Sequence, residues 1–146
     1  VLTEAAEKFI GRATVAALAG GPPATDLFDP ALALGAHIEL AERAELLAVA
    51  PCTADFIARA ATGRGDDLLS TLYLCFRGPV VLAPAMNTAM WEHPAVQRNV
   101  QQLAADGAKI VPPESGWLSC RRQGAGRLPD PETLLSAIVE ALPPPS

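Results

Sequence analysis

Residues 79–88 read PVVLAPAMNT: an unbroken apolar run, a proline at 84, then the small and polar segment Ala85-Met86-Asn87-Thr88. An apolar run this short, with no alternation, is the signature of a strand covered on both faces. The same design occurs at 46–55 (LLAVAPCTAD) and at 108–116 (AKIVPPESG). Parallel strands are therefore expected at 46–50, 79–83 and 108–111, each followed by proline and polar groups.

Helical patterns lie between and after them. They cover 53–61, 67–76 with Asp66 as the N-cap, 94–106 with Pro94 at the first helical position and Gly107 past the end, and 131–142 with Asp130 as the cap. In the last of these, Leu134, Leu135, Ile138 and Leu142 form one apolar stripe. Strands joined by helices imply an α/β fold, a doubly wound, Rossmann-like parallel sheet with helices on both faces. Ligands of such sheets bind outside the carboxyl ends of the strands, so 51–55, 84–88 and 112–116 should line one crevice. Proline alone often just ends a strand; three in succession, each leading into polar groups, favour a site.

Composition narrows the chemistry. With 146 residues, half of them hydrophobic, the chain is expected to form one domain over 1–142, and PPPS at 143–146 reads as a tail or linker. The chain opens on Val1-Leu2-Thr3, as though a first strand and turn belonged upstream, and shows no signal-peptide pattern. Apolar runs fall far short of the roughly 20 residues needed to span a bilayer. A net charge of -5 opposes nucleic-acid binding. Cys52, Cys75 and Cys120 are odd in number and widely spaced, which suits a reducing cytoplasm. Together with His37 and His93 they show no metal-ligand spacing, so no metal is expected. Lys8 and Lys109, the two lysines, lie outside the three strand-end segments, which argues against a Schiff base. No GxSxG or Walker A run is present. What remains for difficult bond chemistry is an organic cofactor held by hydroxyls and amides at strand ends and helix starts.

Several motifs then resemble one family in order and spacing. PAMN with Met90-Trp91 is similar to the substrate motif of the homo-oligomeric flavin-containing cysteine decarboxylases, and APCTAD at 50–55 to their flavin-contacting strand end. His37-Ile38 with Leu40 resembles the HIxL element carrying their active-site histidine, and GWLSCRRQGAGRL at 116–128 the flap of the phosphopantothenoylcysteine decarboxylase branch. DDLLST at 66–71 fits the same pattern. The sequence departs from it at Arg121, where Gly is usual, at Leu128 for Met, at Asp55 for Asn and at Cys52.

The resemblance implies an FMN-dependent enzyme that decarboxylates 4'-phosphopantothenoylcysteine to 4'-phosphopantetheine on the way to coenzyme A. It implies catalytic roles for His37 and Cys120. Asn87, Met90, Ser119, Arg127 and Leu128 would bind substrate, and Thr3, Glu4, Pro51, Thr53, Ala54, Asp55, Phe56, Ala85 and Met86 the cofactor. It further implies a homotrimer and, in bacteria, frequent fusion to the preceding enzyme of the pathway.

The chemistry asks for an electron sink, since a carboxylate on an unactivated carbon has nowhere to leave its electrons. Oxidation of the cysteine thiol to a thioaldehyde provides one; CO2 then departs, and the hydride and a proton return. On a helix His37, Ala41 and Ala44 share a face. Alone, a His there is more often structural than catalytic; the HIxL likeness favours catalysis. Asn87 would orient the substrate carboxylate, unless it merely forms a turn. Cys120 would donate the proton; Arg121 and Arg122 should favour its thiolate unless the substrate phosphate draws off their charge. Gly124 and Gly126 would supply bends for a closing flap. Two alternatives stay open: a lantibiotic-type peptidyl-cysteine decarboxylase, and a non-enzymatic flavin-binding regulatory subunit.

Overall fold

The computed structural model describes residues 1–32, 34–117, 121 and 123–144. In chain order these form a 3-10 turn (Ala6–Lys8), α1 (Arg12–Ala19), α2 (Ala36–Arg43), β1 (Leu47–Cys52), α3 (Ala54–Thr62), α4 (Leu68–Cys75) and β2 (Val80–Pro84). They continue with α5 (Thr88–Trp91), α6 (Pro94–Ala105), β3 (Lys109–Ile110), β4 (Glu114–Trp117), β5 (Gln123–Arg127) and α7 (Pro131–Ala141). The chain divides into two compact units, Val1–Arg43 with Gly65–Phe76, and Ala44–Arg64 with Arg77–Ser146.

The second unit carries the sheet. Among the described residues β1, β2 and β3 lie side by side in that order, all parallel. Parallel neighbours need crossover connections, so this is the α/β arrangement that the strand-helix alternation implies. Val81, Leu82 and Ala83 are 2%, 0% and 1% exposed, so β2 is covered on both faces, as its unbroken apolar run requires. On one face Val81 and Ala83 meet Val111 and Ala137, with Leu46, Leu134 and Ile138 packed around them. α3 packs against α6, and Phe56, Ile57 and Leu103 are buried. Lys109 Nζ reaches the Glu140 carboxylate at 2.8 Å and the Ala137 carbonyl at 3.2 Å, which ties β3 to the last turn of α7.

β1 contains an irregularity that matters at its end. Val49 pairs with Leu82, but the next pair is Cys52 with Pro84, so β1 spends one residue more than β2 over that stretch. Leu47, Val49 and Cys52 are buried while Ala48, Ala50 and Pro51 are exposed. The strand expected to stop at residue 50 therefore runs on to Cys52. Pro51 is tolerated because a bulge is a place where a missing N–H costs no ladder bond.

The first unit is helical. α2 packs on α4, with Ala36, Leu68 and Leu72 buried. The cap of α4 is Asp67 and not Asp66: the Asp67 carboxylate accepts from Ser70 N–H at 2.7 Å, and the Ser70 hydroxyl lies 3.2 Å from the Asp67 amide. Asp66 N–H reaches the same hydroxyl at 3.2 Å, so the two aspartates share one buried serine, and only the second stands three residues before the helical amide it caps. Among the described residues no helix is long and apolar enough to cross a membrane.

Candidate functional site

The carboxyl ends of β1 and β2 form a continuous ledge. After β1, Thr53 caps α3 by accepting from Phe56 N–H at 3.2 Å. After β2, Asn87 caps α5 by accepting from Met90 N–H at 2.9 Å through Oδ1. Both caps satisfy helix-start amides that have no partner in the helix itself. Ala85 N–H donates to the Cys52 carbonyl at 3.1 Å, which joins the two strand ends. Pro51, Thr53, Asp55 and Asn87 are exposed along this ledge, and Ala54, Ala85 and Met86 are half-buried.

A hairpin of β4 and β5 borders the ledge. The strands pair antiparallel, Gly116 opposite Gly124 and Trp117 opposite Gln123. Met86 N–H donates to the Gly126 carbonyl at 3.0 Å. A Cβ at Gly126, whose φ is +140°, would fall on the Met86 carbonyl oxygen, and one at Gly124 would fall on the Thr88 hydroxyl. The two glycines thus serve close approach to the loop that carries Asn87, where the sequence analysis gives them flexibility. Their spacing held the clue, since residues two apart on a strand share a face and a glycine in a strand marks close approach of another backbone. Thr88, the other half of this contact, belongs to the segment 84–88 expected to line the crevice, but no motif marks it for a role of its own.

The segment 112–116, expected as a third ledge loop, instead runs into β4, where the alternative of pairing with β5 satisfies its backbone. Arg127 bonds to Glu114 at 2.8 Å and Asp130 at 3.0 Å, bridging β4, β5 and the cap of α7. The hydrogen bond from Arg127 holds the Glu114 carboxyl below its ordinary range. Leu128, expected at the substrate, packs against the cluster around Val81, because its half-buried side chain completes the apolar layer under α7. Phe56, expected at the cofactor, is 6% exposed and belongs to the core. Met90 is 44% exposed on α5. Asp55 pairs with Arg59 at 2.9 Å along α3. Cys52 is fully buried, and burial pushes its thiol from 9.0 up to about 12.

Arg121 adopts φ +60°. This is the left-handed region where glycine is at ease and other residues are strained, which accounts for the Gly of the pattern that Arg121 replaces. Ser119 and Cys120 lie outside the described residues.

The remaining expected site residues belong to the first unit. The Thr3 hydroxyl accepts from Ala6 N–H at 3.2 Å, and Glu4 lines an open depression with Arg12, Asp26 and Asp29. His37 sits in the first turn of α2 beside Gly35, whose φ is +96° and whose Cβ, if present, would lie 3.3 Å from the His37 ring. His37 Nδ1 is buried with no hydrogen-bond partner among the described residues, a state that buried polar atoms rarely tolerate without a functional reason. Ala44, expected on the same face, lies past the end of α2 and is exposed.

The chain is similar to known proteins over most of its length. The chain is 48% identical over 132 residues to the coenzyme A biosynthesis bifunctional protein CoaBC of Mycobacterium tuberculosis, covering 90% of this chain and 31% of that protein. It thus spans about a third of the length of the curated relatives it matches. Among solved structures it is similar to the FMN-dependent cysteine decarboxylase SpaF, at TM-score 0.82 and 39% identity over 97% of this chain and 77% of that one. It is also similar to a PPC decarboxylase mutant complexed with pantothenoylaminoethenethiol, at TM-score 0.78 and 25% identity over 94% and 79% of the two chains. Residues 1–143 match the Flavoprotein family, and the chain is a member of it.

Proposed function

We propose that this chain is an FMN-dependent decarboxylase that converts 4'-phosphopantothenoylcysteine to 4'-phosphopantetheine. The observation that carries the reading is Asn87: its Oδ1 is spent on Met90 N–H, so its amide NH2 group is the part left to meet a ligand at the strand-end ledge.

The residues present fit a flavin. Thr53 offers an exposed hydroxyl, and the first amides of the nine-residue α3 supply donors and a positive helix end for a ring edge that gains negative charge on reduction. Ala54 and Ala85 keep the ledge free of bulk. FMN, when bound there, supplies the oxidation of the thiol-bearing carbon that lets the neighbouring carboxylate leave, and the electrons that restore the thiol afterwards.

The chain's own groups do the rest. Asn87 donates to the substrate carboxylate and fixes its direction. His37, with an unspent ring nitrogen, acts at the cysteinyl end as base or charge partner. Cys120 returns a proton in the reductive half, with Ser119, Met90 and Arg127 around the substrate. The identity to CoaBC favours this substrate, while the likeness to SpaF keeps a peptidyl-cysteine substrate as the second reading.

A homotrimer in the cytoplasm completes the proposal. Phe9, Leu18 and Phe28 are 92%, 81% and 85% exposed, apolar side chains that a partner subunit would cover. The deciding experiment is to purify the complete protein, record its absorbance and incubate it with 4'-phosphopantothenoylcysteine. Yellow protein and a saturated thiol product are expected. An ene-thiol product would favour the second reading, and colourless protein that releases no CO2 would end both.

A further inference from the structure

Asn87 is flanked on both sides by contacts with β5. Met86, before it, is held by its N–H to the Gly126 carbonyl at 3.0 Å. Thr88, after it, stands against Gly124 so closely that a Cβ on that glycine would overlap its hydroxyl. Asn87 Oδ1 is itself held by Met90 N–H at 2.9 Å. Three consecutive residues are therefore held, and what stays unconstrained in Asn87, among the described residues, is its NH2 group. The local helix alone does not explain this rigidity, because α5 is four residues long and buries none of them, and a single short turn is not stable by itself.

We infer that Thr88 and Gly124 form a positioning pair: the side-chain-free face of β5 sets the register of the hairpin on the Asn87 loop and so aims the Asn87 amide at the substrate carboxylate. The inference rests on the decarboxylase reading for its substrate, but the juxtaposition itself does not. Gly126 makes the companion contact on the main chain. The two contacts differ in a way that can be tested: the obstacle at Gly126 is a backbone oxygen and a φ of +140°, which no second substitution removes, whereas the obstacle at Gly124 is chiefly the Thr88 side chain. With the Thr88 hydroxyl and methyl gone, the nearest atom left to a Cβ at Gly124 is the Thr88 Cβ at 3.3 Å, a tight but accommodable approach.

The test is a double-mutant cycle of Gly124→Ala and Thr88→Ala in the complete flavin-loaded protein, with two readouts. Gly124→Ala should raise KM for 4'-phosphopantothenoylcysteine about tenfold or more, with a smaller change in kcat, since misplacing an orienting group by even an ångström is costly. In the Thr88→Ala background the same substitution should change KM less than about threefold, as expected when the interacting partner is already gone. The second readout needs no turnover: the Asn87 side-chain amide pair in a proton-nitrogen NMR spectrum, identified by its loss in Asn87→Asp. It should shift and broaden in Gly124→Ala and return to sharp lines in the double variant. A KM and an amide signal untouched by Gly124→Ala would overturn the inference, as would a defect that Thr88→Ala fails to relieve. Should the unmutated protein release no CO2, the proposed function falls while the amide signal still decides the positioning pair.

Discussion

The ends of β1 and β2 are built to one local plan and stabilised by different means. In each, a proline-containing strand end passes into a residue whose side chain caps a helix three residues on, Thr53 to Phe56 and Asn87 to Met90. After β1 the helix is nine residues long and buries Phe56, Ile57 and Ala60, so the turn is rigid because its helix is rooted in the core. After β2 the helix is four residues long and buries nothing, and the turn is held from outside by Met86 to Gly126 and Thr88 to Gly124. A platform that only has to receive a ligand can be made by packing. A turn that must aim one amide takes its rigidity from a second element that can itself be shaped for substrate.

That contrast can be broken at four points. The β1 end should be chemically sealed. With the Cys52 thiol pushed from 9.0 to about 12, its thiolate fraction at pH 8 is lowered about a thousandfold, and alkylation mapped by mass spectrometry should be slower by at least that factor in the folded than in the unfolded protein. The sign also fixes a pH trend: the folded state keeps the proton while the unfolded state loses it, so Cys52 should cost stability as pH climbs from about 9 towards 12. Rapid labelling of Cys52 at pH 8 would show the strand end to be open.

Next in size, Ile57→Ala should lower unfolding free energy by about 2–5 kcal/mol in denaturant titration, because a side chain 1% exposed leaves a cavity. Met90→Ala on the exposed α5 should cost less than about 1 kcal/mol. Equal costs would erase the distinction between the two ends. Asn87→Asp keeps the cap, since Asp serves there as well as Asn, yet it places a carboxylate where the substrate's own is expected. Steady-state kinetics should show kcat/KM down about a hundredfold with the melting temperature nearly unchanged. Smallest, Thr53→Ala removes a cap and should cost about 1 kcal/mol in the same titration; a loss of several would mean that the hydroxyl does more than cap α3.

Much of this was legible beforehand, for identifiable reasons. The apolar runs at 46–50 and 79–83 were expected as covered strands; both are strands, and β2, between its neighbours and under α7, is covered on both faces, whereas β1, at the edge of the described sheet, leaves Ala48, Ala50 and Pro51 exposed. The Pro94 helix start followed from residue type, and Asp130 does hold the N-cap position of α7, though its side chain bonds Arg127 and not the helix; Thr53, expected as the first residue of its helix, is instead the cap before it. The failures share a cause: long-range pairing leaves no local mark. Nothing in PPESG announces that 114–117 pairs with 123–127, so it passed for a ledge loop. Leu128 and Phe56 owe their expected ligand roles to their place in a motif, which says nothing of the packing that the whole unit gives their side chains. The same blindness made Gly124 and Gly126 hinges, though what they face requires that they have no side chains.

The irregularity in β1 has a consequence for how this ledge tolerates insertion and deletion. Up to Val49 the strand buries every second side chain, and the additional residue before Cys52 reverses that parity. Remove one residue at Ala50 or Pro51, and Cys52 would stand two places after Val49 as Pro84 stands two after Leu82, so strict alternation would keep Cys52 facing in and Thr53 on its present side. A deletion there would straighten the strand end rather than invert the surface beyond it.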